Sequence, residues 1–111
     1  MIIILTGDLL RGHTDAIILF LLKAKDSYGY ELNQKLADIT NNHFSLTEAT
    51  LYTTFKRLEN NGFLVSYWSD GINTKRKYYS ITDAGLKHIS EYKKSYLDAN
   101  KILNKIFEGE F

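Results

Sequence analysis

Apolar and polar positions alternate along this chain with periods that change from segment to segment. Ala16-Ile17-Ile18-Leu19-Phe20-Leu21-Leu22 is apolar on nearly every side, and Lys23-Ala24-Lys25 continues it with good helix formers. Thr14 and Asp15 ahead of the run offer side-chain oxygens to orphan amide protons. The pattern predicts a helix over 14–25, buried because a helix apolar all round has to be covered; a strand is the competing reading for so short a run. Asp26-Ser27-Tyr28-Gly29 reads as a turn. Tyr30, Leu32, Leu36 and Ile39 then recur near helical spacing among Asn33, Gln34, Lys35 and Asp38, which predicts an amphipathic helix over about 29–40, closed by Thr40-Asn41-Asn42-His43. A further helix is predicted over 45–61. Ser45 and Glu48 stand at capping-box spacing, with Thr47 as the alternative cap. Leu51, Phe55 and Leu58 form its apolar stripe, and Asn61-Gly62 its stop.

The texture changes at Phe63-Leu64-Val65-Ser66-Tyr67-Trp68, which is aromatic and β-branched and favours a strand. Asp70-Gly71 and Asn73 supply turn chemistry, and Lys75-Arg76-Lys77-Tyr78-Tyr79-Ser80-Ile81 follows as the basic second arm of a hairpin. Tyr78 and Tyr79, being adjacent, point to opposite faces, one of them into the core. Trp68 is expected in the core. Thr82-Asp83 then opens a helix that runs without a break to about Glu108. On it Ile89, Tyr92, Tyr96, Ala99, Leu103 and Ile106 are spaced 3, 4, 3, 4 and 3. This is a heptad stripe. A helix of roughly 40 Å cannot bury its far half against so small a domain. The stripe therefore asks for a partner, most simply a second copy of the chain. Ile89, Tyr92, Tyr96, Leu103 and Ile106 are the candidate dimerisation residues, helped by residues 2–12.

Composition narrows the function. The 111 residues suit one folding unit, and 44% are hydrophobic and 24% charged, as in an ordinary globular protein. Cysteine is absent, which removes disulfides, thiolate metal sites and cysteine nucleophiles. His13, His43 and His88 lie far apart without partners at metal-ligand spacing, so no metal and no cofactor is expected. The glycines form no phosphate-cradling loop, no nucleophile stands beside a base, and no enzyme is expected. The longest apolar run, seven residues, is too short to span a membrane. The apolar start Met1-Ile2-Ile3-Ile4-Leu5 lacks a preceding basic residue, and it is interrupted at once by Asp8, Arg11, His13 and Asp15. It reads as neither signal nor anchor, and a cytoplasmic protein is expected. Net charge is +1, so any nucleic-acid site has to be a local patch. Residues 47–77 carry five basic and three acidic side chains, a net +2.

Three helices followed by a hairpin are the order of a winged helix-turn-helix, mainly α with one β-hairpin: residues 1–81 as the DNA-binding domain, 82–111 as a dimerisation helix. The helix over 45–61 is the one to enter a major groove. With Leu51, Phe55 and Leu58 turned to the core, its outer side carries Ala49, Thr53, Lys56 and Asn60, flanked by Thr50 and Arg57 on one side and Tyr52 on the other. Small and hydroxyl side chains let the backbone approach bases. Lys56, Arg57 and, on the hairpin, Lys75, Arg76 and Lys77 can reach phosphates, which supplies affinity and salt dependence. Two copies would space their recognition helices by about one turn, ~34 Å, of an inverted repeat. The competing reading is a winged-helix module that binds protein and not DNA, since fold does not settle function.

Thr47-Glu48-Ala49-Thr50-Leu51-Tyr52, Arg57-Leu58-Glu59, Gly62, Trp68 and Arg76-Lys77-Tyr78-Tyr79-Ser80-Ile81-Thr82-x-x-Gly85, with Leu10-Arg11-Gly12 and Tyr28-Gly29-Tyr30-Glu31-Leu32 before them, resemble the PadR family of bacterial transcriptional regulators. The resemblance spans residues 9 to about 108, and the short C-terminal part looks like the small subfamily. It implies a homodimeric, ligand-responsive repressor with a C-terminal dimerisation helix. Some small members sense drugs between aromatics at the dimer interface, and Tyr96 falls on the aromatic position of that pattern. By that resemblance Tyr92, Tyr96, Ala99 and Asn100 are candidate contacts for a small aromatic or cationic ligand, with plain dimer packing as the alternative for the two tyrosines.

Overall fold

The structure is a computed structural model and describes Leu10, residues 12–70 and residues 75–111. The expected dimer contribution of residues 2–12, apart from Leu10 and Gly12, and the hairpin turn at Gly71 and Asn73 lie outside the described residues. The order of elements is α1 (Thr14–Ala24), β1 (Ser27–Tyr28), α2 (Gly29–Ile39), α3 (Glu48–Asn60), β2 (Leu64–Asp70), β3 (Lys75–Ile81) and α4 (Asp83–Phe107).

Helix α1 is the central pillar. Ile18, Leu19 and Leu22 are fully buried and meet Leu32 of α2, Leu51, Phe55 and Leu58 of α3, Leu64 and Tyr79 of the sheet, and Ile89 of α4 in a single core. Fully burying one such aliphatic or aromatic side chain contributes about 1.5–3 kcal/mol, and this cluster is what holds three helices, a hairpin and the start of a fourth helix in one arrangement. Tyr79, and not Tyr78, is the inward member of its pair; its ring stacks on Phe55 at 3.8 Å between centroids.

Two segments depart from the sequence pattern. Ser27-Tyr28 is a two-residue strand and not only a turn; it pairs antiparallel with Tyr79 and Tyr78 and completes a three-stranded sheet in the order β1-β3-β2. On α2, Leu32 and Leu36 are buried, but Tyr30 and Ile39 of the same stripe are exposed, because they sit at opposite ends of the helix where nothing packs on them. Trp68 also departs. The sequence places it in the core, whereas 65% of its surface is exposed. On this strand only Leu64 is buried in the core, and burial fades along it before the indole is reached.

Side-chain caps open α3 and α4, whereas α1 starts at His13 and α2 at Tyr28 without one, and Thr14 and Asp15 lie inside the first turn of α1 and do not cap it. Thr47 Oγ1 accepts from Thr50 N, so Thr47 and not Ser45 caps α3. Gly62 closes α3 at φ 79°, in the left-handed region that suits glycine. Thr82 Oγ1 accepts from Gly85 N and donates to the Gly62 carbonyl, tying the start of α4 to the end of α3. Gly85 permits this join, since a Cβ there would lie 2.5 Å from the Phe63 carbonyl oxygen and 2.7 Å from Ile81 Cγ1. Beyond this anchor α4 leaves the body. Gly85 and Ile89 are buried, every residue from 93 onward is exposed, and the molecule is drawn out to 58 × 33 × 22 Å.

Candidate nucleic-acid interface

The pair α2 and α3 forms the helix-turn-helix, and side chains of the turn hold its angle. Asn33 of α2 donates through Nδ2 to the Leu46 carbonyl and accepts through Oδ1 from Leu46 N, both at 2.8 Å. Thr40 Oγ1 donates to the carbonyls of Leu36 and Phe44 and accepts from Phe44 N. Asn41 and Asn42 turn the chain at φ 52° and 64°, a left-handed conformation that asparagine tolerates better than most residues. Gly29 lets α3 come close, since a Cβ there would meet Leu51 Cδ2 at 3.1 Å.

This frame presents the outer side of α3 to solvent. Ala49, Thr50, Tyr52, Thr53, Lys56, Arg57 and Asn60 are all exposed, while Leu51, Thr54, Phe55 and Leu58 are buried. The division of faces is the one read from the apolar stripe. Several of these side chains are not free. Thr50 Oγ1 accepts from Thr47 Oγ1 at 2.9 Å within the cap. The Arg57 guanidinium donates through Nε and Nη2 to the Asp15 carboxylate of α1, at 3.1 and 2.5 Å. That fork-to-carboxylate pair pushes the guanidinium pKa higher still, by hydrogen bond first and charge second. Arg57 therefore ties the flank of the recognition helix to the start of α1. Nothing in the sequence marks Asp15 as its partner, because the two stand 42 positions apart.

The hairpin divides its basic residues by face. Cross-strand register pairs Leu64 with Ile81, Ser66 with Tyr79, Trp68 with Lys77 and Asp70 with Lys75. Since Ser66 Oγ donates to Glu59 of α3 at 2.9 Å and Tyr79 stacks on Phe55, this is the face turned to α3. Arg76 lies on the other face with its guanidinium 4.6 Å from the centroid of the Tyr28 ring. There Tyr28, Tyr78 and Tyr67 form a row across the three strands, and the Tyr67 hydroxyl donates to the Asp26 carboxylate, which raises the phenol pKa.

The residues nominated for a ligand separate likewise. Tyr92 is half-buried and its hydroxyl shares a hydrogen bond with His13 Nδ1, a contact absent from the sequence reading; burial raises its pKa, with Asp15 and Tyr96 adding to the effect. The edge of Tyr96 also meets the His13 ring, at 5.7 Å between centroids. Ala99 and Asn100 lie further along α4 and are exposed. An open groove of about 680 Å³ between α1, α3 and α4 is lined by Thr50, Thr53, Arg57, Asp15, His88 and Tyr92 among others, and Tyr96, Ala99 and Asn100 do not line it. Among the described residues, no three His, Asp or Glu converge as a metal site would require, and no helix is long and apolar enough to cross a membrane.

Three helices, a three-stranded sheet with a hairpin wing, and a long terminal helix define the winged-helix regulator architecture. The sequence profile of the PadR-like transcriptional regulator family matches residues 18–91. An uncharacterized protein of Lysinibacillus sphaericus, protein X, is 43% identical over 104 residues, 93% of this chain and 95% of that protein. The structure of the transcriptional regulator Cth-833 from Clostridium thermocellum superposes with a TM-score of 0.83 at 38% identity, covering 92% of this chain and 97% of the other. A PadR family transcriptional regulator from Eggerthella lenta also reaches 0.83, at 34% identity over 91% of this chain and 87% of its own. The chain belongs to the PadR family of transcriptional regulators.

Proposed function

We propose that this regulator acts as a homodimeric, sequence-specific DNA-binding protein, a repressor of the family's usual kind. Residues 1–81 form the DNA-binding domain, and residues 82–111 the dimerisation helix. Helix α3 enters the major groove with Ala49, Thr50, Tyr52, Thr53 and Lys56 toward the bases and the adjoining phosphates. Lys75, Arg76 and Lys77 of the wing hold the flanking backbone, with Arg57 at the flank of α3. The operator is an inverted repeat, matching the two-fold axis of the dimer. The observation that carries the reading is the outer face of α3: small, hydroxyl and basic side chains stand exposed on a helix whose opposite face is locked into the core.

Ile89, Tyr92, Tyr96, Leu103 and Ile106 form the seam between the two copies. A small aromatic or cationic ligand held near Tyr92, Tyr96, Ala99 and Asn100 shifts the dimer to a spacing that no longer fits the operator. It does so only by binding the two dimer states with unequal affinity.

Fluorescence anisotropy with DNA from just upstream of the protein's own gene tests the reading, with a scrambled duplex as control. Saturable binding to the first and little to the second is expected. Lys56→Ala should weaken binding to every sequence alike and reduce the salt slope by about one. Unchanged affinity of the variant would remove α3 from the interface.

A further inference from the structure

The single tryptophan of the chain is at an unusual place. Tryptophan is highly buried on average, because leaving so large an apolar ring in water is unfavourable. Trp68 nevertheless keeps 65% of its surface exposed, on a strand whose inner end is fully packed. The register places it on the α3-facing side of the wing, one pair beyond Ser66 and Tyr79, directly opposite Lys77 and next to the pair Asp70 and Lys75. The wing therefore carries on one face an indole flanked by two lysines and one aspartate. Arg76 lies on the opposite face with its guanidinium over the Tyr28 ring, and the Lys77 ammonium stands 5.7 Å from the centroid of the Tyr79 ring. This face of the wing packs on α3 through Ser66 at Glu59 and Tyr79 at Phe55, so the indole stands on the wing face next to the recognition helix.

We propose that Trp68 is a DNA contact of the wing. Its indole packs against the deoxyribose wall of the groove beside the one read by α3, while Lys75 and Lys77 neutralise the adjoining phosphates. An apolar ring is suited to sugar edges and partly opened base steps, where a charged side chain loses hydration without gain. The lysines supply the charge that brings the backbone to the ring. The inference rests on the DNA-binding reading and adds to it a residue that fixes the wing's depth and orientation.

The test uses the full-length protein and a fluorescein-labelled duplex from upstream of its gene, first at low salt and then over a salt series. Anisotropy of the label reports binding, and emission of the unlabelled protein reports Trp68 alone, as no other indole is present. The expected result is a blue-shifted, quenched emission that saturates at the same midpoint as the anisotropy. Trp68→Ala should bind about tenfold more weakly with an unchanged salt slope, because an aromatic contact releases no counterions. Trp68→Phe should recover part of the loss. Lys77→Ala, in contrast, should lower the slope. With the indole so exposed, Trp68→Ala should melt as the parent does, and its far-UV circular dichroism confirms the fold before binding is measured.

A duplex that binds while the emission stays unmoved, or a Trp68→Ala protein that binds as the parent does, overturns the proposal and leaves DNA binding standing. A duplex that never raises the anisotropy overturns both readings. An emission shift that follows protein concentration without DNA assigns the indole to a contact between copies and overturns the proposal as well.

Discussion

The two halves of α4 share one heptad stripe and meet different fates. Over residues 83–92 the stripe is covered: Ile89 keeps 1% of its surface exposed, in contact with the core that α1 organises, and Thr82 and Gly85 lock the first turn to the loop after α3. Over residues 93–107 the same periodicity continues, yet Tyr96, Leu103 and Ile106 remain about half exposed, with Leu97, Ile102 and Phe107 beside them. Large contiguous apolar patches are uncommon on monomers and mark interaction surfaces. Periodicity therefore identifies which side of a helix is apolar. What covers that side is a separate question, answered for the first half by this chain, and for the second half the proposed second copy is the candidate.

Substitutions can separate the halves. The largest effect belongs to the covered one. Ile89→Ala removes three buried carbons and should cost about 2–5 kcal/mol. Thermal melts should fall at every protein concentration. In the far half, Leu103→Asp should leave the domain folded while burying an uncompensated charge at the proposed seam, a cost of about 3–5 kcal/mol, or hundredfold and more in the affinity of the proposed dimer. Sedimentation should then report a monomer, and the dependence of the melt on protein concentration should vanish. An unchanged dimer would place the interface elsewhere than on the far half of α4.

The smallest effect sharpens the comparison through pH. Burial pushes the Tyr79 phenol up to about 12, with Glu59 and Tyr52 adding to the effect. The unfolded chain ionises the same group near its ordinary value of about 10. Below pH 10 both states hold the proton and stability is unaffected. Between pH 10 and 12 the unfolded state releases it first, so stability falls as pH rises. Tyr79→Phe should flatten that limb of the melting curve. Because Tyr79 sits in the core and not on the proposed seam, self-association at neutral pH should not change.

Much of the helical framework was legible in local sequence. Apolar spacing within one or two turns located α1, α2, α3 and α4, and capping chemistry at Thr47, Gly62 and Thr82 set both ends of α3 and the start of α4, because the atoms involved lie within a few residues of one another. The outer face of α3 followed from its inner face by subtraction. The strand at Ser27-Tyr28 did not follow, since two residues become a strand only when β3 is brought alongside them.

The chain order of elements by itself determined the winged-helix class, and the motifs from Thr47 to Gly85 carried the family. Tertiary structure alone decided which nominated side chains stand free. It paired Arg57 with Asp15 and Tyr92 with His13, across 42 and 79 positions. It divided Lys75 and Lys77 from Arg76 by face, and it left Trp68 in solvent and not in the core. The physical reason is range. Helix periodicity and capping act through neighbours a turn apart. Burial and ion pairing act through whatever the fold brings near, and no local pattern encodes that distance.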